Sequence, residues 1–258
     1  MKKVVLSILF CLPFALFAQE TPDLVFSQVM LTPKPDKIVE FEAGLSAHNK
    51  KFHSQEAQQA NVYWIANGKN SGKYIWSAGP MPWAAMDADH PAGAEHDGDW
   101  NKNIAPFTKG NDEAFFFRAD LANSNFSKDF TIKNMSVFMI DVKRFKNMEF
   151  MAELEKVRKV YAEKMPEKIF GIYHNSMPVN DDRKFQRDFG WVEFFDSMSV
   201  MNEDDKFPQY FEEVHGEGSF TKFLETFSEV TNADMTELWT FRADLSGTDG
   251  KILAAERQ

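Results

Sequence analysis

The chain has 258 residues, a formal net charge of −10 and one cysteine, Cys11. Its acidic balance, with no clustered basic patch, excludes a nucleic-acid surface. A lone cysteine at the start of the chain excludes a disulfide framework, thiolate metal sites and cysteine nucleophiles from the rest.

The chain opens with Met1-Lys2-Lys3, then an apolar run over 4–17, then Ala18-Gln19-Glu20. A basic start, a short apolar stretch and a small residue before a polar one are the parts of a secretory signal peptide, so 1–18 is expected to be removed after Ala18 and the mature chain exported to the periplasm or beyond. The run is shorter than the ~20 apolar residues that span a bilayer, and no later stretch reaches that length, so no membrane partner is expected.

Beyond it the same series of elements is written twice. Residues 24–31 and 136–142 are β-branched and apolar runs of strand length. Ile38, Phe41, Leu45, His48 and Phe52 then form one helical stripe, and Phe150, Leu154, Val157 and Tyr161 continue the same frame 109 positions later. Second strands follow at 61–67 and 168–175. Turns at 68–72 and 179–187 lead to third strands at 73–78 and 189–195, which carry Trp76 and Trp191. A second helix is expected around Trp100, Ile104 and Phe107 in one copy and Phe220, Leu224 and Phe227 in the other. Each series closes on an identical pentapeptide, Phe117-Arg118-Ala119-Asp120-Leu121 and Phe241-Arg242-Ala243-Asp244-Leu245, expected as the fourth strand.

The order is βαββαβ, twice. The expected fold is therefore α+β: two tandem ferredoxin-like units whose antiparallel sheets pack face to face as an intramolecular α+β barrel. The expected boundaries are 19–122 for the first unit, 123–134 for a linker, 135–247 for the second unit and 248–258 for a tail. In element order, lengths and duplication the chain resembles the dimeric α+β barrel superfamily, which includes proteins similar to antibiotic biosynthesis monooxygenases. The resemblance implies a small, often aromatic ligand between sheet and helices, chemistry without metal or cofactor, and a monomeric pseudo-dimer or weak homo-oligomer. A similar likeness to the chlorite dismutase group implies haem held by one histidine, for which His48, His174 and His215 are the candidates.

His48 stands on an apolar stripe where the second copy has Val157, and it reads either as a satisfied core histidine or as an acid, base or ligand, the catalytic candidate. Gln28, polar in the first strand where the second copy is aligned on Ile140, reads as a strand-end polar group or a ligand contact. Tyr63, Trp64 and Trp76 complete the ligand-binding set, against the alternative that they are core. Tyr173, His174 and Glu193 are a weaker acid–base grouping. Asp87, Asp89, His90, Glu95, His96, Asp97 and Asp99 crowd before one second helix, and Glu212, Glu213, His215 and Glu217 before the other. Acids there suit the helix dipole, and their spacing matches no established zinc or calcium loop, so no metal and no cofactor are expected. The paired Arg118, Asp120, Arg242 and Asp244 read as symmetry-related ion pairs. Three functions fit these readings: an exported small-molecule binder or cofactor-independent enzyme acting on an aromatic or apolar substrate, a haem protein, and a scaffold for partners.

Overall fold

The computed structural model describes residues 24–55, 58–178 and 184–254. The expected signal segment and most of the 179–187 turn lie outside them. In chain order the elements are β1 (Val25–Leu31), α1 (Ile38–Phe52), β2 (Ala60–Ile65), β3 (Tyr74–Met81), α2 (Ala94–Asn103), β4 (Glu113–Asn125), β5 (Phe130–Thr131), β6 (Asn134–Val142), α3 (Asn147–Lys164), β7 (Phe170–Asn175), β8 (Phe189–Phe195), α4 (Phe207–His215), α5 (Ser219–Val230), β9 (Thr231–Phe241) and β10 (Lys251–Ile252).

Eight strands close into one antiparallel barrel in the order β1-β3-β2-β9-β6-β8-β7-β4. This corrects the expectation of two separate sheets packed face to face. β2 pairs with β9 through Tyr63–Phe241 and Ile65–Trp239, and β4 pairs with β7 through Phe117–Asn175 and Arg118–His174. An exposed sheet edge leaves N–H and C=O groups unpaired, and joining edge to edge satisfies them in a way that stacking face to face does not. Alternation within a strand reports its two faces and is silent about which strand lies beside it, so this pairing was not legible in the sequence.

Alternation sets the two layers. From β1, β2 and β3 the residues Met30, Tyr63, Ile65 and Ile75 point into the barrel, where they meet Met135, Val137, Met139, Val192 and Trp239. Leu31, Val62 and Tyr74 point outward and pack on Phe41 and Leu45 of α1. On the opposite side Ile140, Ile172 and Trp191 pack on Phe150 and Leu154 of α3. Phe41, Leu45 and Phe150 are essentially inaccessible to solvent, and each stabilises the layer by roughly 1.5–3 kcal/mol.

Several local expectations are revised. α2 stops at Asn103, with Ala105–Phe107 as a 3-10 turn, because Pro106 has no N–H and restricts the residue before it. The second copy carries two helices, α4 and α5, separated at Gly216 and Gly218, both with positive φ. The stretch expected as a linker contains the end of β4 and β5, and β5 pairs with β10 from the expected tail.

The repeated pentapeptide is strand only in its first copy. β9 ends at Phe241, and Arg242 to Leu245 form the turn after it. Arg242 pairs with Glu42 at 2.6 Å and Asp244 at 2.7 Å, whereas Asp120 pairs with His174 at 2.9 Å, so the two aspartates have partners of different kinds.

Candidate functional site

The barrel is hollow. A cavity of about 290 Å³ is walled by aromatic and aliphatic side chains such as Phe26, Phe117, Met139 and Trp239, with Phe130 and Ile252 of the β5–β10 ribbon also on its wall. Its polar lining includes Gln28, Gln59, Asn61, Tyr63, Ser77 and Thr248, and Gln28 Nε2 donates to Ser77 Oγ at 3.3 Å. Gly190 and short side chains such as Ser77 and Val192 face the space and leave it open. A Cβ built on Gly190 would meet only Tyr173 Cβ, at 3.9 Å. Among the described residues Lys251 is the one charged residue on the wall, and no carboxylate or imidazole lines it.

Of the expected ligand-binding residues, the fold brings together Gln28 and Tyr63 but not Trp64 or Trp76. Neighbours in a strand point to opposite faces, so Trp64 lies outside the barrel with Trp76, both against the Leu31–Phe41–Leu45 cluster. Trp76 Nε1 donates to Asn49 Oδ1 at 2.9 Å. The pairing Val29–Trp76 in one half and Phe138–Trp191 in the other also re-registers the copies. Gln28 corresponds to Val137, which likewise lines the cavity, and not to Ile140, which faces α3.

His48 lines neither this cavity nor the cleft described below. It is completely buried on α1, between the sheet and α2, and its ring touches those of Phe52, His53, His96 and Trp100. Gly44 allows the two helices this close, since a Cβ there would stand 2.0 Å from the Asn103 carbonyl oxygen. His48 Nδ1 lies 2.8 Å from Asp99 Oδ2 on α2, and among the described residues its Nε2 has no hydrogen-bond partner. Burial holds His48 below the usual histidine range and takes His53 down to about 4, so both rings are neutral near pH 7. His90 stacks on His96 at 4.2 Å between centroids. Four of the chain's six histidines therefore share one layer. His53, His96 and Asp99 were not singled out with His48 from the sequence. The signal was the crowding of histidine between positions 48 and 96, at spacings that no motif uses.

A second cleft, of about 470 Å³, opens between the β6–β8 sheet and α3 and α5, on Phe138, Phe150, Trp191, Phe223 and Phe227. Tyr161 donates to Glu193 there, and burial followed by the charge of Glu193 pushes the phenol well above its ordinary range. Trp191 Nε1 is buried without a partner among the described residues. His174 does not meet Glu193: Phe170 faces Glu193 across the β7–β8 hairpin, while His174 faces Phe189 at its other end.

No family model and no curated protein matches the sequence. Solved structures match the fold over nearly its whole length. A candidate monooxygenase from Lactobacillus acidophilus NCFM is 13% identical, with a TM-score of 0.51 over 90% of this chain and 99% of its own. Chlorite dismutase from Candidatus Nitrospira defluvii is 8% identical, with a TM-score of 0.51 over 87% and 95%. A haem-binding protein from Thermus thermophilus is 8% identical, with a TM-score of 0.50 over 86% and 92%. The likeness shows a shared fold, the closed antiparallel barrel with helices packed on it.

Haem, which some of these relatives imply, does not fit the residues present. A histidine-ligated haem needs an imidazole nitrogen facing a cavity large enough for the macrocycle. No histidine lines either cavity. His174 Nε2 is engaged by Asp120 and His215 Nε2 by the Lys156 carbonyl, at 2.9 and 3.0 Å.

Proposed function

We propose that the chain is an exported small-molecule-binding protein that holds a mainly apolar, aromatic-sized ligand with one polar end inside its barrel. The observation that carries this reading is the hollow interior. Eight-stranded barrels are either filled by their own side chains or just wide enough for one small ligand, and here glycine and short residues leave the space open. Its lining, mostly apolar with a few convergent polar groups, is the usual composition of a ligand pocket. Gln28 and Ser77 are placed to meet a polar group on the ligand, with Tyr63 part of the same wall. Among the described residues the wall carries no acid and no imidazole, which favours binding over acid–base catalysis. Export rests on the Met1-Lys2-Lys3 start and the apolar run behind it. The strand order β4-β1-β3-β2 followed by β9-β6-β8-β7 supports tandem duplication of one unit, and a barrel closed within one chain suits a monomer.

The test uses the neutral fluorophore N-phenyl-1-naphthylamine as probe. Wild-type protein should bind it, and Gly190→Leu, which fills open space at a strand position, should weaken binding at least tenfold with an unchanged or higher Tm. Equal binding by a folded Gly190→Leu variant would place the probe elsewhere and end the proposal.

A further inference from the structure

Three imidazoles converge between α1 and α2. One ring nitrogen from each of His48, His53 and His96 lies within 4.8 Å of the others. The partners of the opposite ring nitrogens fix how each ring is protonated. His48 Nδ1 lies beside Asp99 Oδ2 at 2.8 Å, His53 Nδ1 beside the Gln58 carbonyl at 2.7 Å, and His96 Nδ1 beside Asp97 Oδ1 at 2.9 Å. All three partners are acceptors, so each Nδ1 carries a hydrogen, and in the neutral ring the Nε2 then presents a lone pair.

Two consequences follow from that arrangement. His53 Nε2 and His96 Nε2 are 3.2 Å apart, which is repulsive for two bare lone pairs unless a cation or proton lies between them. The third nitrogen, His48 Nε2, is buried with no partner among the described residues, a state that costs about 1–3 kcal/mol. The same distance is close to the ~3.3 Å edge of a tetrahedron with metal–nitrogen bonds of ~2.0 Å. Histidine ligands characteristically donate their other N–H to a carboxylate or carbonyl, as all three do here. His90 is not part of the set: Ala92 N donates to its Nδ1 at 3.1 Å and its Nε2 faces the Phe52 carbonyl at 3.2 Å, so both nitrogens are engaged.

We propose that His48, His53 and His96 form a binding site for one divalent transition-metal ion of the zinc class, ligated through their three Nε2 atoms, with Asp99, Gln58 and Asp97 as the positioning groups behind them. Three nitrogen ligands leave a fourth position open for water or a small anionic ligand. His96 is partly exposed, with 18% of its side chain accessible, so the path from solvent runs past it. The widest nitrogen separation exceeds the tetrahedral edge, and loading therefore draws the rings together. The site is separate from the barrel cavity and does not depend on the ligand proposed there.

The experiment titrates the metal-depleted full chain with Co2+ and follows visible absorption. One equivalent should give the intense band of a four-coordinate site, which Zn2+ then abolishes by displacement. His96→Gln, at a partly exposed position that retains the fold, should weaken Co2+ binding at least tenfold. Asp99→Asn, which removes the charge behind His48, should weaken it about tenfold, with thermal melts of the metal-free variants reporting their folding. Absence of the band at one equivalent overturns the proposal, as does unchanged Co2+ affinity in His96→Gln. So does a nitrogen-15 spectrum in which a proton shared by His53 and His96 persists in the presence of excess Zn2+.

Discussion

His48 and Asp99, 51 residues apart in sequence, meet at 2.8 Å as the one hydrogen-bonding contact of a fully buried ring among the described residues. The aligned residue of the second copy is Val157, which packs among apolar neighbours on α3. The polar pair is therefore particular to the first half and is not demanded by packing the helix on the sheet.

Replacing His48 with valine in the metal-free chain removes one charge-assisted hydrogen bond and one buried nitrogen without a partner, opposing effects of about 1–3 kcal/mol each. Asp99 keeps access to water, with 23% of its side chain exposed, so the net change should stay within about 1 kcal/mol. Denaturant unfolding measures it. A loss of more than about 3 kcal/mol would mean that the imidazole is there to hold the fold.

Gly44→Ala should be far more damaging than its size suggests. The added Cβ would lie 2.0 Å from the Asn103 carbonyl oxygen at the α1–α2 contact, and backbone cannot yield as a flexible side chain does. A destabilisation of about 1–3 kcal/mol is expected, seen as a lower urea midpoint together with Co2+ binding weakened in proportion to the separation of α1 from α2. An unchanged midpoint would contradict the helix packing described here.

Asp120 gives the chain an acid-sensitive clasp between β4 and β7. Burial by itself would raise its pKa, but hydrogen bonds with His174 and Asn123 outweigh that and hold it at about 2. A carboxyl whose folded pKa lies below its unfolded value of 3.8 stabilises the protein above that pH and loses the contribution as pH falls towards 2. Allowing for solvent screening, the contribution is on the order of 1 kcal/mol. Asp120→Asn should thus be less stable than wild type at pH 6, with the gap closing between about pH 4 and pH 2. Thermal melts across that range test the sign, and a gap that widens on acidification contradicts it.

Material recovered from outside the cytoplasm should begin at or near Gln19 and contain no cysteine. Intact mass decides this. A chain that retains Cys11 with an added lipid mass would show a different route of export.

Much of the secondary structure was determined by the sequence alone. The stripe of Ile38, Phe41, Leu45, His48 and Phe52 is α1, and the alternating runs became β1, β2, β3, β6 and β8, because helix and strand periods are local properties of the chain. The same alternation correctly made Gln28 an oddity on an apolar face. Tertiary structure decided the rest. Tyr63 and Trp64 were grouped as aromatic rings with polar handles, and the pleat sends one into the barrel and the other out of it. Matching Phe117 to Phe241 by identity set the two copies out of register, because Phe117 pairs with Phe26 in β1 whereas the strand position beside Met135 in β6 is taken by Trp239. Closure of the barrel depends on pairing between strands such as β2 and β9, where Tyr63 lies opposite Phe241, which no local pattern encodes. The histidine cluster has the same origin. His48 and His53 come from one end of α1 and His96 from α2, and only the close approach of those helices at Gly44 brings their lone pairs face to face.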